Sequence, residues 1–495
     1  MLTILTTTEH REQVETAIRS IDRLEELVTV VTKAKGVADL KTLVISDAAV
    51  LPSFDWYDLE PPYVIPKVDL SHEHLLALIF IKLGNHQKAF EYVDEDSEIF
   101  NHLLIASHLQ FGYEISPEML EFAKRTSPHN YAVVHYYGNL SQDIRRNEIK
   151  QAFQFAIENA ENDELRIFSL KHYLNLLLDL EEVDEGIRLI EKHGKLAISE
   201  DAKFALNLQL GAFLKEKLEL PYDTKELERV LGLQLEAIER LESKGLKTQA
   251  GLLLIDAAET ANFKEDFIAS KELINKSIRY FKEEDIPEFL GEAGLKKAIL
   301  LYTWSKNGSP QYYKAAINAF QDVLKVFKRD THPQKFADIH HNLALIYSEI
   351  PVGAEEKPMW TAFSASSFKE VLAFYTKEEF PYEYAMACHN YATALMHFPP
   401  AKLHDNFEKA ADLFREALVV RTADKYPFER ALTLLNKLEL EWLSHNEGSA
   451  KELEQYEAMK TQAEEIKTLV SDPDFVDKAD EHLKELEKLR TLIKA

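Results

Sequence analysis

The sequence predicts an all-α protein built from stacked pairs of antiparallel helices. A pattern repeats at a nearly fixed interval, because Pro333, Pro381 and Pro427 are 48 and 46 residues apart. A repeat of this length indicates stacked helical units and not one closed core. The composition agrees, since only 15 Gly and 17 Pro in 495 residues leave room for helices throughout. A fainter copy of the pattern contains Pro287, 46 residues upstream of the first strong copy.

The residues around each proline recur at the same offsets. Apolar residues lie 13 and nine positions before it, an alanine lies four positions after it, and an asparagine nine positions after it. The apolar positions share one helical face, and the proline ends that helix and favours the start of the next. The recurring residues are Phe320, Phe368 and Phe414; Leu324, Leu372 and Leu418; Ala337, Ala385 and Ala431; and Asn342, Asn390 and Asn436.

These repeats resemble the tetratricopeptide repeat (TPR) family. The run Asn342-Leu343-Ala344-x-x-Tyr347 is similar to the first helix of that motif. The run from Phe380 to Ala392 is similar to a long-unit bacterial subgroup, whose repeats often accompany CHAT protease domains. The resemblance implies a right-handed α-solenoid of TPR-like helix pairs, with an atypical N-terminal segment and capping C-terminal helices.

The N-terminal segment lacks the repeat pattern. A short β-branched run covers Met1–Thr6, and we expect a long helix from Thr8 to about Lys35, with no convincing strand after the first few residues. No cationic stretch leads into an apolar one, so we expect no signal peptide. Leu51–Pro66 contains four prolines and cannot be helical throughout. We expect it to form an extended strap whose aromatic residues pack on the first repeats; a mobile, peptide-like arm is the alternative.

Repeat fragments fill the chain after this segment. Gly84 and Ala89 stand where a TPR unit places its turn and its tight helix crossing, and Gly186 recurs at a similar place. Serine–proline pairs at 116–117 and 127–128 mark helix starts. We therefore divide the chain into an atypical segment at 1–70, divergent TPR-like repeats at 71–264, long-unit repeats at 265–446 and capping helices at 447–495.

Charge and cysteine content restrict the partners and the compartment. The net charge is −26, whereas binding to nucleic acid or to an anionic membrane surface needs a basic stripe. We therefore expect no nucleic-acid partner. No apolar run is long enough for membrane insertion. The single cysteine, Cys388, fits a reducing compartment, which leads us to expect a cytoplasmic protein.

No motif in the sequence indicates catalysis, a cofactor or a metal. Phosphate-binding glycine loops and a G-x-S-x-G turn are missing from the sequence. Cys388 and His389 are adjacent, and adjacent helical residues point in different directions, so we interpret Cys388 as a small buried apolar residue. The pairs at 72–74 and 340–341 lack the i, i+4 histidine spacing of a helical metal site. We predict that the protein is not an enzyme.

The candidate site is a ladder of asparagines on successive first helices. The TPR resemblance implies that Asn342, Asn390 and Asn436 face a concave groove, where amide side chains can hold the backbone of a ligand. The alternative is that each asparagine bonds a neighbouring helix and sets the superhelix, because buried polar groups must be paired. The strong units carry almost no Lys or Arg there, which argues against binding of an acidic C-terminus. The predicted groove residues are Asp338, His341, Asn342, Met386, His389, Asn390, Leu432 and Asn436.

The function that we predict from the sequence is a non-catalytic scaffold. The chain would serve as an adaptor, or as the regulatory subunit of a bacterial assembly, and hold a protein or peptide partner in its groove. A ligand- or peptide-responsive sensor in bacterial signalling or defence is the first alternative. An enzyme with an unrecognised helical active site is the second.

Overall fold

A computed structural model describes residues 2–32, 40–140, 146–196, 198–400, 405–443 and 449–493. Within these ranges it contains 22 α-helices and seven short strands. The chain divides into two compact units, Met1–Asp266 and Phe267–Ala495. The predicted all-α architecture of TPR-like helix pairs is confirmed in both units, and the first unit adds a small sheet that the sequence did not predict.

The first unit opens with this sheet. The order among the described strands is β2-β1-β3-β4-β5, with β1 parallel to both neighbours and β4 antiparallel to β3 and β5. Every residue of β1 is buried, as expected for a central strand covered on both faces. The strands are β1 (Leu2–Thr6), β2 (Val28–Thr32), β3 (Thr42–Ser46), β4 (Ala49–Leu51) and β5 (Val68–Asp69).

The expectation of one long helix from Thr8 to about Lys35 is wrong. Helix α1 covers only Arg11–Arg19, and the β-branched run Val28–Thr32 pairs with β1 as a strand. Such residues favour a pleated surface over a helix. Lys35 itself lies outside the described residues. A tight turn at residues 47 and 48, both with positive φ, then joins β3 to β4 as a hairpin.

Helices α2 to α12 complete the first unit and pack mainly on their neighbours in the chain. Five of them begin after a serine that accepts a backbone hydrogen bond from the first helical turn, which satisfies an otherwise unpaired N–H group. Two of these serines belong to the predicted serine–proline starts. The helices are α2 (His72–Lys82), α3 (His86–Phe90), α4 (Glu98–Phe111), α5 (Pro117–Thr126), α6 (Pro128–Tyr137), α7 (Arg146–Glu158), α8 (Asp163–Asp179), α9 (Val183–His193), α10 (Glu200–Glu216), α11 (Thr224–Ser243) and α12 (Lys247–Phe263). Two short strands, β6 (Glu114–Ile115) and β7 (Asn139–Leu140), pair with each other in parallel.

Gly186 of α9 lies at a close contact with α10. A Cβ atom at Gly186 would lie 2.1–2.7 Å from ring carbons of Phe213, which is fully buried on α10. We expect Gly186→Ala to lower the free energy of unfolding by about 1–3 kcal/mol, because the ring must leave its packed position. Gly232→Ala on α11 is the matched control, since its Cβ meets nothing within 4 Å. The control should gain roughly 0.5–1 kcal/mol. Urea denaturation measures both, and equal stabilities would contradict this crossing.

The second unit consists of α13 to α22. Helices α14, α16, α18 and α20 begin at Pro287, Pro333, Pro381 and Pro427, so each recurring proline starts a helix as predicted. The recurring phenylalanines and alanines are all fully buried. The helices are α13 (Phe267–Glu283), α14 (Pro287–Lys306), α15 (Tyr313–Val323), α16 (Pro333–Glu349), α17 (Lys357–Phe374), α18 (Pro381–Met396), α19 (Asn406–Val420), α20 (Pro427–Leu443), α21 (Ser449–Leu469) and α22 (Pro473–Ile493).

The last two helices cover the end of the repeats. Apolar residues of α21 and α22, among them Tyr456 and Ile466, form one buried cluster with Leu434 and Leu438 of α20. The predicted helical C-terminal segment is therefore confirmed. The division of the chain into four segments stays a proposal.

Candidate functional site

The eight predicted groove residues lie on α16, α18 and α20, the first helices of three successive pairs. The asparagines and their neighbours Asp338, Met386 and Leu432 are half-buried. His341 and His389 are only 7% and 5% exposed. The expectation that these two histidines share an accessible surface is therefore wrong: their rings pack against Phe368 and Phe414 of the adjacent helices.

The asparagines bond the histidines of the preceding unit. Asn390 Nδ2 lies 2.9 Å from His341 Nε2. Asn436 Nδ2 lies 3.0 Å from Thr393 Oγ1 and 3.4 Å from His389 Nε2. An amide nitrogen only donates, so each Nε2 atom accepts in these bonds, as in a neutral imidazole. Asn342 differs, because its Nδ2 donates to the Asp338 carbonyl oxygen of its own helix, at 2.9 Å.

Burial keeps this ladder uncharged. It lowers the pKa of His341 to about 4 and, with help from Arg421, the pKa of His389 to about 3. Burial also raises the pKa of Asp338, against the hydrogen bond that the Tyr375 hydroxyl donates to this carboxylate. Neutral acceptors at fixed positions suit amide donors, which is why asparagine can recur here.

The arrangement ties successive first helices together and orients the amides. Among the described residues, the only hydrogen bond of the Asn390 side chain runs to His341. The carbonyl oxygen Oδ1 of this half-exposed amide is therefore available to an N–H donor. A histidine that fixes the amide nitrogen thus also fixes the direction of an acceptor.

We expect Asn390→Ala to lower the free energy of unfolding by about 1–3 kcal/mol, because His341 Nε2 then becomes a buried acceptor without a donor. Asn342→Ala is the matched control. It removes a bond within one helix, and we expect a cost below about 1 kcal/mol. Thermal or urea denaturation of both variants distinguishes the two roles. Equal losses of unfolding free energy in the two variants would show that the hydrogen bond between units does not add to stability.

A second surface, which the sequence analysis missed, holds the strap, residues 51–66. Asn130 on α6 contacts the backbone of Val64 twice: Val64 N donates to Oδ1, and Nδ2 donates to Val64 O, both at 2.8 Å. The neighbouring His129 donates from Nε2 to Pro62 O, also at 2.8 Å. Asn130 and His129 are almost fully buried. The first turn of α6 thereby binds an extended segment through hydrogen bonds to the backbone of that segment.

Aromatic side chains of the strap pack on α8 and α10. Trp56 meets Phe168 of α8 edge to face, with ring centroids 5.2 Å apart. Tyr57 stacks on Phe204 of α10 at 5.3 Å, and its hydroxyl donates to Asp201 at 2.6 Å. Two aromatic residues of the strap therefore pack on the repeat helices α8 and α10. Its four prolines and its aromatic residues were the signal, whereas no signal identified Asn130 as its holder.

Chemically reactive groups are scarce at these surfaces. Cys388 is buried as predicted, and burial raises the pKa of its thiol to about 11, so the thiol is protonated near neutral pH. Within the described ranges, no group of three or more His, Cys, Asp or Glu side chains could hold a metal ion. None of the described helices is both long enough and apolar enough to cross a membrane.

Comparison with known proteins finds similarity to solved structures alone. The TPR domain of P58(IPK) is 14% identical with a TM-score of 0.21, over 70% of this chain and 94% of that chain. Yeast Tom70 is 13% identical with a TM-score of 0.21, over 84% and 95%. A circular tandem repeat protein is 13% identical with a TM-score of 0.21, over 85% of this chain and 89% of that chain. At TM-scores of 0.21, these similarities carry no argument about the family or the function of this chain. No protein-family model and no curated protein matches the sequence.

Proposed function

We propose that this chain is a non-catalytic interaction scaffold that binds an extended segment of a partner protein along the first helices of its repeats. The observation that carries the proposal is the strap. Asn130 already binds an extended segment of the same chain through both polar groups of the Val64 backbone. Contacts to the backbone do not depend on the sequence of the bound segment, so the same chemistry suits a partner.

The first helices of the second unit offer comparable groups. Asn390 presents an amide oxygen whose direction is set by its bond to His341. Met386 and Leu432 stand four positions before Asn390 and Asn436, about one helical turn away, and are half-buried. An acceptor for backbone N–H groups beside apolar contacts is what an extended peptide needs. We therefore keep all eight predicted groove residues as the proposed partner surface, with His341 and His389 acting by positioning the amides.

Two considerations support a scaffold over an enzyme. Cys388, the one cysteine, is buried and protonated, and it is therefore a poor nucleophile. The buried histidines are neutral acceptors whose lowered pKa values make them weak bases. The setting that we propose is a cytoplasmic adaptor or the regulatory subunit of a bacterial assembly. The compartment rests on the single cysteine, and the bacterial setting on the resemblance to repeats that accompany CHAT domains.

Titration of a partner against matched variants tests the proposal. The full chain serves to capture the partner, which is then purified and titrated against parent and variants. Met386→Glu with Leu432→Glu should weaken binding at least about tenfold, because two carboxylates enter the proposed apolar contact. Val419→Glu on α19, a second helix, is the control, since Val419 is 58% exposed. It should change the affinity less than about twofold.

The melting temperature of each variant is measured alongside, and the milder Met386→Gln replaces any variant that melts early. Equal affinities for the parent and for folded Met386 and Leu432 variants would overturn the proposal for this surface.

A further inference from the structure

The strap and the helices beneath it carry complementary charges. The strap contains three acidic residues, Asp55, Asp58 and Glu60, and neither Lys nor Arg. Lys171 of α8 forms an ion pair with Asp58, and Lys82 Nζ of α2 lies 2.5 Å from Glu60 Oε2. The helices of the first unit therefore present cations to a segment that is acidic throughout.

Two further cations surround Tyr57, the residue before Asp58. Arg240 Nε of α11 donates to the Tyr57 oxygen at 3.2 Å, and the same guanidinium pairs with Asp201 of α10. Lys244 Nζ lies 6.0 Å from the centroid of the Tyr57 ring, at the limit of a cation–π contact. This surface therefore suits an aromatic ring that is followed by a carboxylate.

The surface also buries polar groups whose bonds the strap completes. Lys171 is 1% exposed, whereas the side chain of Asp58, its partner, is 60% exposed. Asn130 uses both polar groups of its amide on the Val64 backbone. A buried cation or amide without a partner is unfavourable, so the uncovered surface would favour a segment that restores these bonds. A ligand can reach both groups once the strap leaves, because residues of the strap reach them now.

The strap is a loop whose two ends are fixed in the sheet. It begins at the end of β4 and leads into β5, and these two strands pair with each other. Between residues 52 and 66, all of which the structure describes, the chain forms no helix or strand. The loop can therefore leave the helices while its ends stay paired in the sheet.

Two features weaken the closed position of the strap. A cavity of about 60 Å³ remains between strap residues, among them Pro61 and Tyr63, and helices α2 and α4. Atoms that line such a cavity lose packing contacts. Asp58 has a φ of 56°, in the left-handed region that glycine adopts more readily than aspartate. A partner segment that avoids either cost can compete with the strap.

We propose that the strap is a displaceable internal ligand, and that the surface beneath it binds an extended segment of a partner protein in which two aromatic residues precede an acidic one. The strap itself has this order in Trp56, Tyr57 and Asp58. Apolar residues would hold a permanent strap equally well, whereas charged and polar contacts select the segment that binds. The inference rests on the proposed scaffold function and adds a second site with the chemistry of its ligand.

A labelled peptide of residues 53–65 is the probe. Its hosts are the parent and the opened chain, which we define as the full chain with Trp56→Ser and Tyr57→Ser. Fluorescence anisotropy should show at least about tenfold tighter binding to the opened chain, because in the parent the strap competes at an effective concentration on the order of mM. The peptide with serine at these two positions should bind the opened chain at least about tenfold more weakly. The melting temperature of the opened chain is measured, and Tyr57→Ser alone replaces a host that melts early.

A double-mutant cycle between peptide and host locates the binding. Asp58→Asn in the peptide should weaken binding to the opened chain at least about fivefold, because the charged partner of Lys171 is lost. In an opened chain that also carries Lys171→Met, the same peptide change should matter less than about twofold. Lys203→Met is the matched control, since Lys203 of α10 is exposed and pairs with Glu200 of its own helix. In this control the fivefold effect should persist.

Four results would overturn the inference: equal binding to parent and opened chain, no binding to a folded opened chain, no binding to the parent at about 1 mM peptide, or an Asp58→Asn effect that does not depend on Lys171. A parent dimer that becomes monomeric in the opened chain would also overturn it, because the occupant would then be the strap of a second copy. The scaffold proposal is tested at Met386 and Leu432 in the other unit. A partner that binds there, while the peptide ignores the opened chain, therefore refutes only this inference.

Discussion

Phe368→Ala and Phe414→Ala should each lower the free energy of unfolding by about 3–5 kcal/mol. Both phenylalanines are fully buried at the recurring position of α17 and α19. The Phe368 ring stacks on Tyr391 at 4.7 Å, and that of Phe414 meets His389 at 5.8 Å. Truncation leaves a cavity that only neighbouring units line, so the local helix pairs should loosen. Urea denaturation and limited proteolysis measure the effect.

Phe363→Ala is the control for this experiment. Phe363 lies on α17, as Phe368 does, but is 46% exposed. Its removal takes less apolar area out of a packed environment, and we expect a loss below about 1.5 kcal/mol. If Phe368→Ala or Phe414→Ala proved as resistant to protease as the parent chain, the assignment of the recurring core position would be wrong.

Acidification should destabilise the second unit through its buried histidines. In the unfolded chain, histidine takes up a proton near pH 6.5, whereas the folded pKa values are about 4 for His341 and about 3 for His389. Between these values the unfolded state binds more protons. Stability is therefore full above about pH 6.5, falls as the pH decreases, and stops falling only below the folded pKa values. From about pH 7.5 to pH 5, each histidine should cost roughly 2 kcal/mol.

A double variant isolates this effect from that of the many carboxylates. In His341→Gln with His389→Gln, an amide oxygen can still accept the bonds from Asn390 and Asn436, but neither substituted side chain titrates. The free energy of unfolding, measured in urea at several pH values, should depend less on pH in the variant than in the parent. Identical pH dependence would contradict the neutral, buried state of these histidines.

Repeats were predictable because their signals are local and recur. Pro333, Pro381 and Pro427 fix helix starts by removing a backbone donor and restricting φ. Phe368 and its equivalents were identifiable because a buried ring at a fixed offset survives from unit to unit. The serine–proline starts of α5 and α6 are similarly local.

The sheet was not predictable in the same way. Its strands are two to five residues long, and β1 is stabilised by pairing with Val28–Thr32 and Thr42–Ser46, far along the chain. The burial of His341 and His389 also depends on the adjacent helices and not on the helix that carries them. The hydrogen bonds between Asn130 and Val64 join residues 66 positions apart, and no spacing in the sequence predicts them.

Photo-crosslinking from a first helix tests the central claim, that these helices hold an extended segment of a partner protein. A photoreactive amino acid replaces Met386 in the full chain, and Val419 on α19 receives the same residue as control. Mass spectrometry then identifies the crosslinked peptide. The account predicts crosslinks from position 386 to one continuous segment of a partner, with few from position 419. Equal crosslinking from both positions, or contacts at 386 scattered over a folded partner surface, would contradict it.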